Sequence, residues 1–92
     1  MSDPIDEGST ARTAATLVTG DRKGAYGPVE KNFQHTADLW SSYLNHKITP
    51  IDVAILMVLL KISRVSDGAY KADNFVDMCG YASLAGFLAD KK

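Results

Sequence analysis

The chain has 92 residues, a net charge of −1 and an apolar fraction of 46%. A chain of this length makes one domain with a thin core, because it buries only about 60–65% of the surface its unfolded form exposes. The near-neutral charge excludes a bulk electrostatic pull towards nucleic acid or an anionic membrane, and the single cysteine, Cys79, excludes an internal disulfide and a cysteine-built zinc site.

Residues 1–8, MSDPIDEG, are acidic and polar and read as a flexible N-terminus. They lack the basic-then-apolar order of a secretion signal, which predicts a cytoplasmic product. Residues 9–92 read as a single helical domain. Ser9 or Thr10 caps a first helix through ARTAATLVT, which stops at Gly20. The segment GDRKGAYGP follows, with three glycines and a proline, and reads as a loop that holds Asp21, Arg22, Lys23 and Tyr26. Glycines beside cations let a backbone approach a ligand closely, although a connector with solvated charges has the same composition.

Val29 to Leu44 reads as a second helix, with Phe33, Ala37, Trp40 and Leu44 on its core face and Asn32, His35 and Asp38 on another. The turn Asn45-His46-Lys47 leads into the longest apolar run, TPIDVAILMVLLKISRV. Thr49 suits an N-cap, Pro50 the first helical position and Asp52 a capping box, so Asp52 needs no other role. The run is too short for a comfortable membrane span and carries Lys61 and Arg64 in its last turns. Apolar on nearly every side, it reads as a buried central helix. It is also more apolar than three short neighbours would cover, so a second subunit is expected against it. Gly68 breaks this helix, and a fourth spans about Ala72 to Leu88, its stripe including Phe75, Val76, Cys79, Leu84 and Leu88. The expected fold is a small all-α, four-helix bundle-like domain completed by oligomerisation.

Two constellations carry possible chemistry. Asp73 and Asp77 stand one helical turn apart, with Asn74 beside them and Tyr81 a turn further on. Such carboxylates can share a divalent cation or accept hydrogen bonds from a ribose or base, or can simply be an acidic edge near a helix N-terminus. Lys61 and Arg64 project in similar directions, as partners of those acids or as a phosphate clamp. Tyr26 and Tyr81 can stack on a base or lie half-buried. His35 and His46 lack metal-ligand spacing. Cys79 reads as an inert core thiol.

The segments DRKGAYGPVEKNF, ITPIDVAILMVLLKISR and DNFVDMCGYASLAG resemble those of a family of small helical proteins of bacteriophages and prophages, over residues 21–86. More distantly, the helical layout with its YG loop and D…D..GYA helix is similar to the MazG-like nucleotide pyrophosphohydrolases. Those enzymes hold magnesium on an ExxE and a second acidic pair, cleave nucleoside triphosphates to monophosphates and pyrophosphate, and are usually dimers or tetramers. By position the second pair corresponds to Asp73 and Asp77. No ExxE occurs, since Glu7 and Glu30 are the only glutamates.

The resemblance therefore implies a phage protein of the infected host's cytoplasm that binds a nucleotide, as a homo-oligomer, without a cofactor, a membrane or a nucleic-acid polymer as partner. By analogy of size and origin, the expected role is to sequester a signalling nucleotide, a cyclic oligonucleotide or an ADP-ribose derivative, of bacterial immune systems such as CBASS and Thoeris. In that role Arg22, Lys61 and Arg64 clamp phosphates and Tyr26 and Tyr81 stack on bases. Asn32, His35, Asp73, Asn74 and Asp77 complete the ligand-binding set. The alternatives are a Mg²⁺-dependent pyrophosphohydrolase, with metal on Asp73 and Asp77 and its shell completed by His35, Asp38 or Glu30, and a protein-binding inhibitor of a host factor.

Overall fold

The computed structural model describes residues 5–20 and 28–90. They form four helices: α1 (Ser9–Thr19), α2 (Val29–Leu44), α3 (Pro50–Asp67) and α4 (Ala72–Asp90), with no strand among the described residues. The all-α expectation is met. The loop carrying Arg22 and Tyr26 lies outside the described residues.

Local chemistry fixes the helix ends. Ahead of α1, Asp6 organises a turn: its carboxylate accepts from the Gly8 N–H at 2.7 Å and from the Arg12 guanidinium at 2.8 Å, and its own N–H donates to Ser9 Oγ. The Arg12 guanidinium, helped by the Gly8 N–H, holds the Asp6 carboxyl below the ordinary carboxylate range. Between α2 and α3, Asn45 takes the left-handed conformation that its short polar side chain tolerates, at φ 53°. Ser41 pins that turn, its hydroxyl accepting from the Ile48 N–H at 2.8 Å and donating to the Ala37 carbonyl. The capping box at Thr49 is complete. The Asp52 N–H donates to Thr49 Oγ1 at 3.1 Å, and the Thr49 N–H donates to the Asp52 carboxylate at 2.9 Å. At the other end of α3 the Gly68 N–H donates to the Arg64 carbonyl.

The most extensive packing is between α3 and α4, with α1 laid on α4 and α2 on α3. Small and β-branched residues make these contacts: Ala14, Ala37, Val53, Ala54, Val76, Gly80 and Ala85 are buried, with Leu88 at the end of α4. No large side chain is fully buried among the described residues. The central helix departs here from the sequence reading. Only Val53 and Ala54 of α3 are buried, while Ile55, Leu56, Leu59, Leu60 and Ile62 remain partly open to solvent. Two neighbouring helices, α2 and α4, pack on α3, and among the described residues its other side stays open. The radius of gyration is 14.4 Å, against about 12 Å for a compact domain of this length.

Two tests follow from the capping chemistry. Thr49→Ala removes the side-chain acceptor at the head of α3 and is expected to cost about 1 kcal/mol, lowering the thermal midpoint by roughly 4–8 °C in a domain of this size. The Asp6 turn carries a pH dependence. A carboxyl whose pKa is lower in the folded chain than in the unfolded one contributes stability above its unfolded pKa and loses it as pH falls through the folded value. The turn is therefore expected to loosen on acidification below about pH 4, seen as a titrating shift of the Gly8 amide in NMR spectra that Asp6→Asn abolishes.

Candidate functional site

A groove of about 490 Å³ runs between α1, the first turns of α2 and the middle of α4. The elements that frame it meet because α1 crosses α4 over Gly80: a Cβ added there would touch Val18 at 3.4 Å. Leu17 and Val18 form one wall, Phe33 and Tyr81 another, and Val76, Leu84 and Phe87 extend the apolar lining along α4. The Phe33 and Tyr81 rings lie 6.5 Å apart between centroids and are tilted by 33°, a spacing at which aromatic pairs attract. Asn32, Asp77, Thr19 and Ser83 bring polar groups to this otherwise apolar surface.

Asp77 connects the groove to the core. Its Oδ2 lies 3.0 Å from Lys61 Nζ, with the two side chains only 19% and 12% exposed. The partner arrives from α3, which contributes no residue to the groove lining. Lys61 thus pairs with the carboxylate from α3. Of the two readings open for Lys61, partner of an acid or phosphate clamp, the geometry realises the first.

The other candidates are dispersed. Asp73 and Arg64 are exposed, and neither lines the groove. Asn74 is buried in the first turn of α4, its N–H donating to the Lys71 carbonyl. His35 is exposed in a shallow depression on the outer face of α2, beside Lys31, Gln34 and Asp38. There the Gln34 amide donates to Asp38 at 2.9 Å. Asn32 borders both this depression and the groove. Glu30 sits in the same depression as His35 and Asp38. Among the described residues no three of His, Cys, Asp and Glu gather in a way that could hold a metal ion. The groove therefore unites Asn32, Asp77 and Tyr81, with Lys61 reaching Asp77 from the core side. It adds Phe33, Val18, Ser83 and Phe87, which the sequence reading did not select. Their signal was present in α4, where Val76, Gly80, Ser83 and Phe87 repeat at intervals of four, three and four residues and mark a second inward face.

These features define an all-α domain with an apolar, aromatic-walled groove, bordered by Asp77 of a partly buried ion pair. The chain belongs to the family described as a domain of unknown function, DUF6378, which its residues 9–89 match. It is similar to the Gene 55 protein of Mycobacterium phage D29, 46% identical over 74 residues that cover 80% of this chain and 49% of that protein. It is also similar to the Gene 55 protein of Mycobacterium phage L5, 39% identical over 77 residues that cover 83% of this chain and 49% of that protein. The phage resemblance read from the sequence is borne out. The chain spans about half the length of these curated relatives. No solved structure matches it. No helix among the described residues is long and apolar enough to cross a membrane.

The ion pair makes a sharp prediction. Asp77→Leu leaves a largely buried ammonium without its partner and is expected to cost about 3 kcal/mol. The double replacement Lys61→Met with Asp77→Leu removes both charges and is expected to cost less than about 1 kcal/mol. Urea denaturation of the four members of the cycle checks both values.

Proposed function

We propose that this phage protein binds a nucleotide in the α1–α2–α4 groove and acts by sequestering it. The observation that carries the reading is the groove's make-up: about 490 Å³ of mostly apolar surface, an aromatic pair at 6.5 Å and a few converging polar groups. Small-molecule sites have this anatomy, with volumes of about 300–1,000 Å³. A base would lie against Phe33 and Tyr81, and Asn32 and Asp77 would hydrogen-bond its edge or the ribose. The distant resemblance of the sequence to MazG-like nucleotide enzymes suggests this ligand class, and the phage relatives support a phage protein. The proposed ligand is a signalling nucleotide of host immunity, a cyclic oligonucleotide or an ADP-ribose derivative.

Sequestration is favoured over magnesium-dependent hydrolysis by the engagement of Asp77. The Lys61 ammonium at 3.0 Å engages one oxygen, Oδ2, of the carboxylate that a metal would need, whereas Mg²⁺ demands several fixed oxygens. The test has two arms. Mass spectrometry of small molecules released by heating the purified protein is expected to show an intact nucleotide. Calorimetry against cyclic dinucleotides and ADP-ribose derivatives is expected to show binding that Tyr81→Ala weakens by about tenfold or more, the value of one lost base–aromatic stack. No binding across the panel sinks the reading. Pyrophosphate released from a nucleoside triphosphate in Mg²⁺, and lost in Asp77→Asn, would establish hydrolysis instead.

A further inference from the structure

Among the described residues that line the groove, Asp77 is the only charged one, and none is a cation that would draw in a phosphate. The other polar lining groups are adaptable. The Asn32 amide and the hydroxyls of Thr19, Ser83 and Tyr81 can each donate or accept a hydrogen bond, so they suit any base. Asp77 is not adaptable. Opposite the Lys61 ammonium at 3.0 Å it is a carboxylate, which can only accept. Lys61 is its one side-chain partner among the described residues. A carboxylate has about four lone-pair positions, so acceptor capacity remains for a ligand. Tyr81 follows Asp77 one turn later on α4, a separation of about 5–6 Å between Cβ atoms. A purine stacked on the Tyr81 ring spans that distance and brings its edge to Asp77.

We infer that Asp77 sets the base selectivity of the groove and that the nucleotide it favours carries guanine. The inference rests on the nucleotide reading of the groove and narrows it. Guanine is the one common base whose pairing edge offers two adjacent donors, N1–H and the 2-amino group. They point the same way and match the two oxygens of a carboxylate. Oδ2 accepts from Lys61 and keeps a second lone pair for this purpose. Adenine and cytosine each set their amino donor beside an unprotonated ring nitrogen, whose lone pair would face the second carboxylate oxygen. Uracil and thymine offer a single N–H between two carbonyl oxygens. In each of these bases a lone pair meets the negative charge of Asp77, and against a mostly apolar lining that repulsion is poorly screened. A bidentate contact of this kind discriminates against the wrong base by about ten- to a hundredfold.

Calorimetry of the wild-type chain against cyclic di-GMP, cyclic di-IMP and cyclic di-AMP tests it, because the three share one backbone and differ only in the base. The guanine form is expected to bind about tenfold or more tighter than the adenine form. The inosine form, which keeps N1–H and lacks the 2-amino group, is expected to fall between them. Asp77→Asn, whose amide both donates and accepts, is expected to reduce the guanine preference to about threefold or less. Should that variant unfold, the three-ligand comparison on the wild-type chain decides alone. Cyclic di-AMP or ADP-ribose binding as tightly as cyclic di-GMP overturns the inference and leaves the nucleotide reading standing. So does an inosine form that binds as tightly as the guanine form, or a folded Asp77→Asn variant that keeps the full preference. Binding by none of these ligands sinks the nucleotide reading itself, and the inference with it.

Discussion

The contact between α3 and α4 is the constraint on which the rest of the molecule depends. These are the two longest helices, and they pack on one another more extensively than any other pair. Lys61 and Asp77 lie within that contact at 3.0 Å, both mostly out of water. A largely desolvated pair of this kind adds little net stability, because desolvation offsets the Coulomb gain. It does penalise misalignment. If α4 slid or rotated against α3, two charges would be left buried and unpaired, so the pair selects one register from the several that an alanine- and valine-lined contact would accept. Fixing that register also fixes which face of α4 is left for α1, and hence where the groove opens.

The core built around this contact is thin for a physical reason. Ala37 and Ala54 are fully shielded, and Ala14, Val53, Val76 and Ala85 nearly so. Small residues bring helix backbones close together, but each removes little apolar area from water. The larger side chains, among them Leu39, Tyr43, Leu59 and Phe87, remain partly or mostly exposed. At about 25 cal/mol per Å², the folding energy of such a chain rests on many modest burials rather than on a few large ones. The cap at Thr49 and the turn at Ser41 therefore matter more here than they would in a domain with a deep core.

Much of this was legible in the sequence, and the parts that were not have identifiable causes. The bounds of α2 and the caps of α3 followed from punctuation: Pro28 before Val29, Thr49-Pro50 with Asp52 three residues after the cap, and Gly68 at the exit. These signals are local and survive tertiary context. The pairing of a cation on α3 with an acid on α4 was one of two open readings, and choosing Asp77 over Asp73 needed the helix register, which no local pattern encodes. That α3 keeps an open apolar face was legible in its all-round apolarity, but which residues form that face depends on how α2 and α4 pack on it. Phe33 looked like a core residue because a groove wall and a core wall are made of the same side chains. His35 and Arg64 were grouped with the site by residue type and sequence spacing. The rotation of α2 turns His35 to the outer depression, and Arg64 projects from the exposed end of α3.

α4 shows how one helix can serve a core and a groove together. Its buried residues, Asn74, Val76, Gly80, Ala85 and Leu88, span more of its circumference than a single partner could cover. One arc meets α3 and the other meets α1. Val76 and Gly80 belong to the buried set and also line the groove. Asp77 stands where the two arcs join, its carboxylate bound to Lys61 and its side chain bordering the groove. A ligand that drew on Asp77 would therefore act on the same group that aligns α3 with α4. Its binding free energy would add to the stability of the fold by mass action, and the helix pair would feel occupancy of a groove to which α3 contributes no residue.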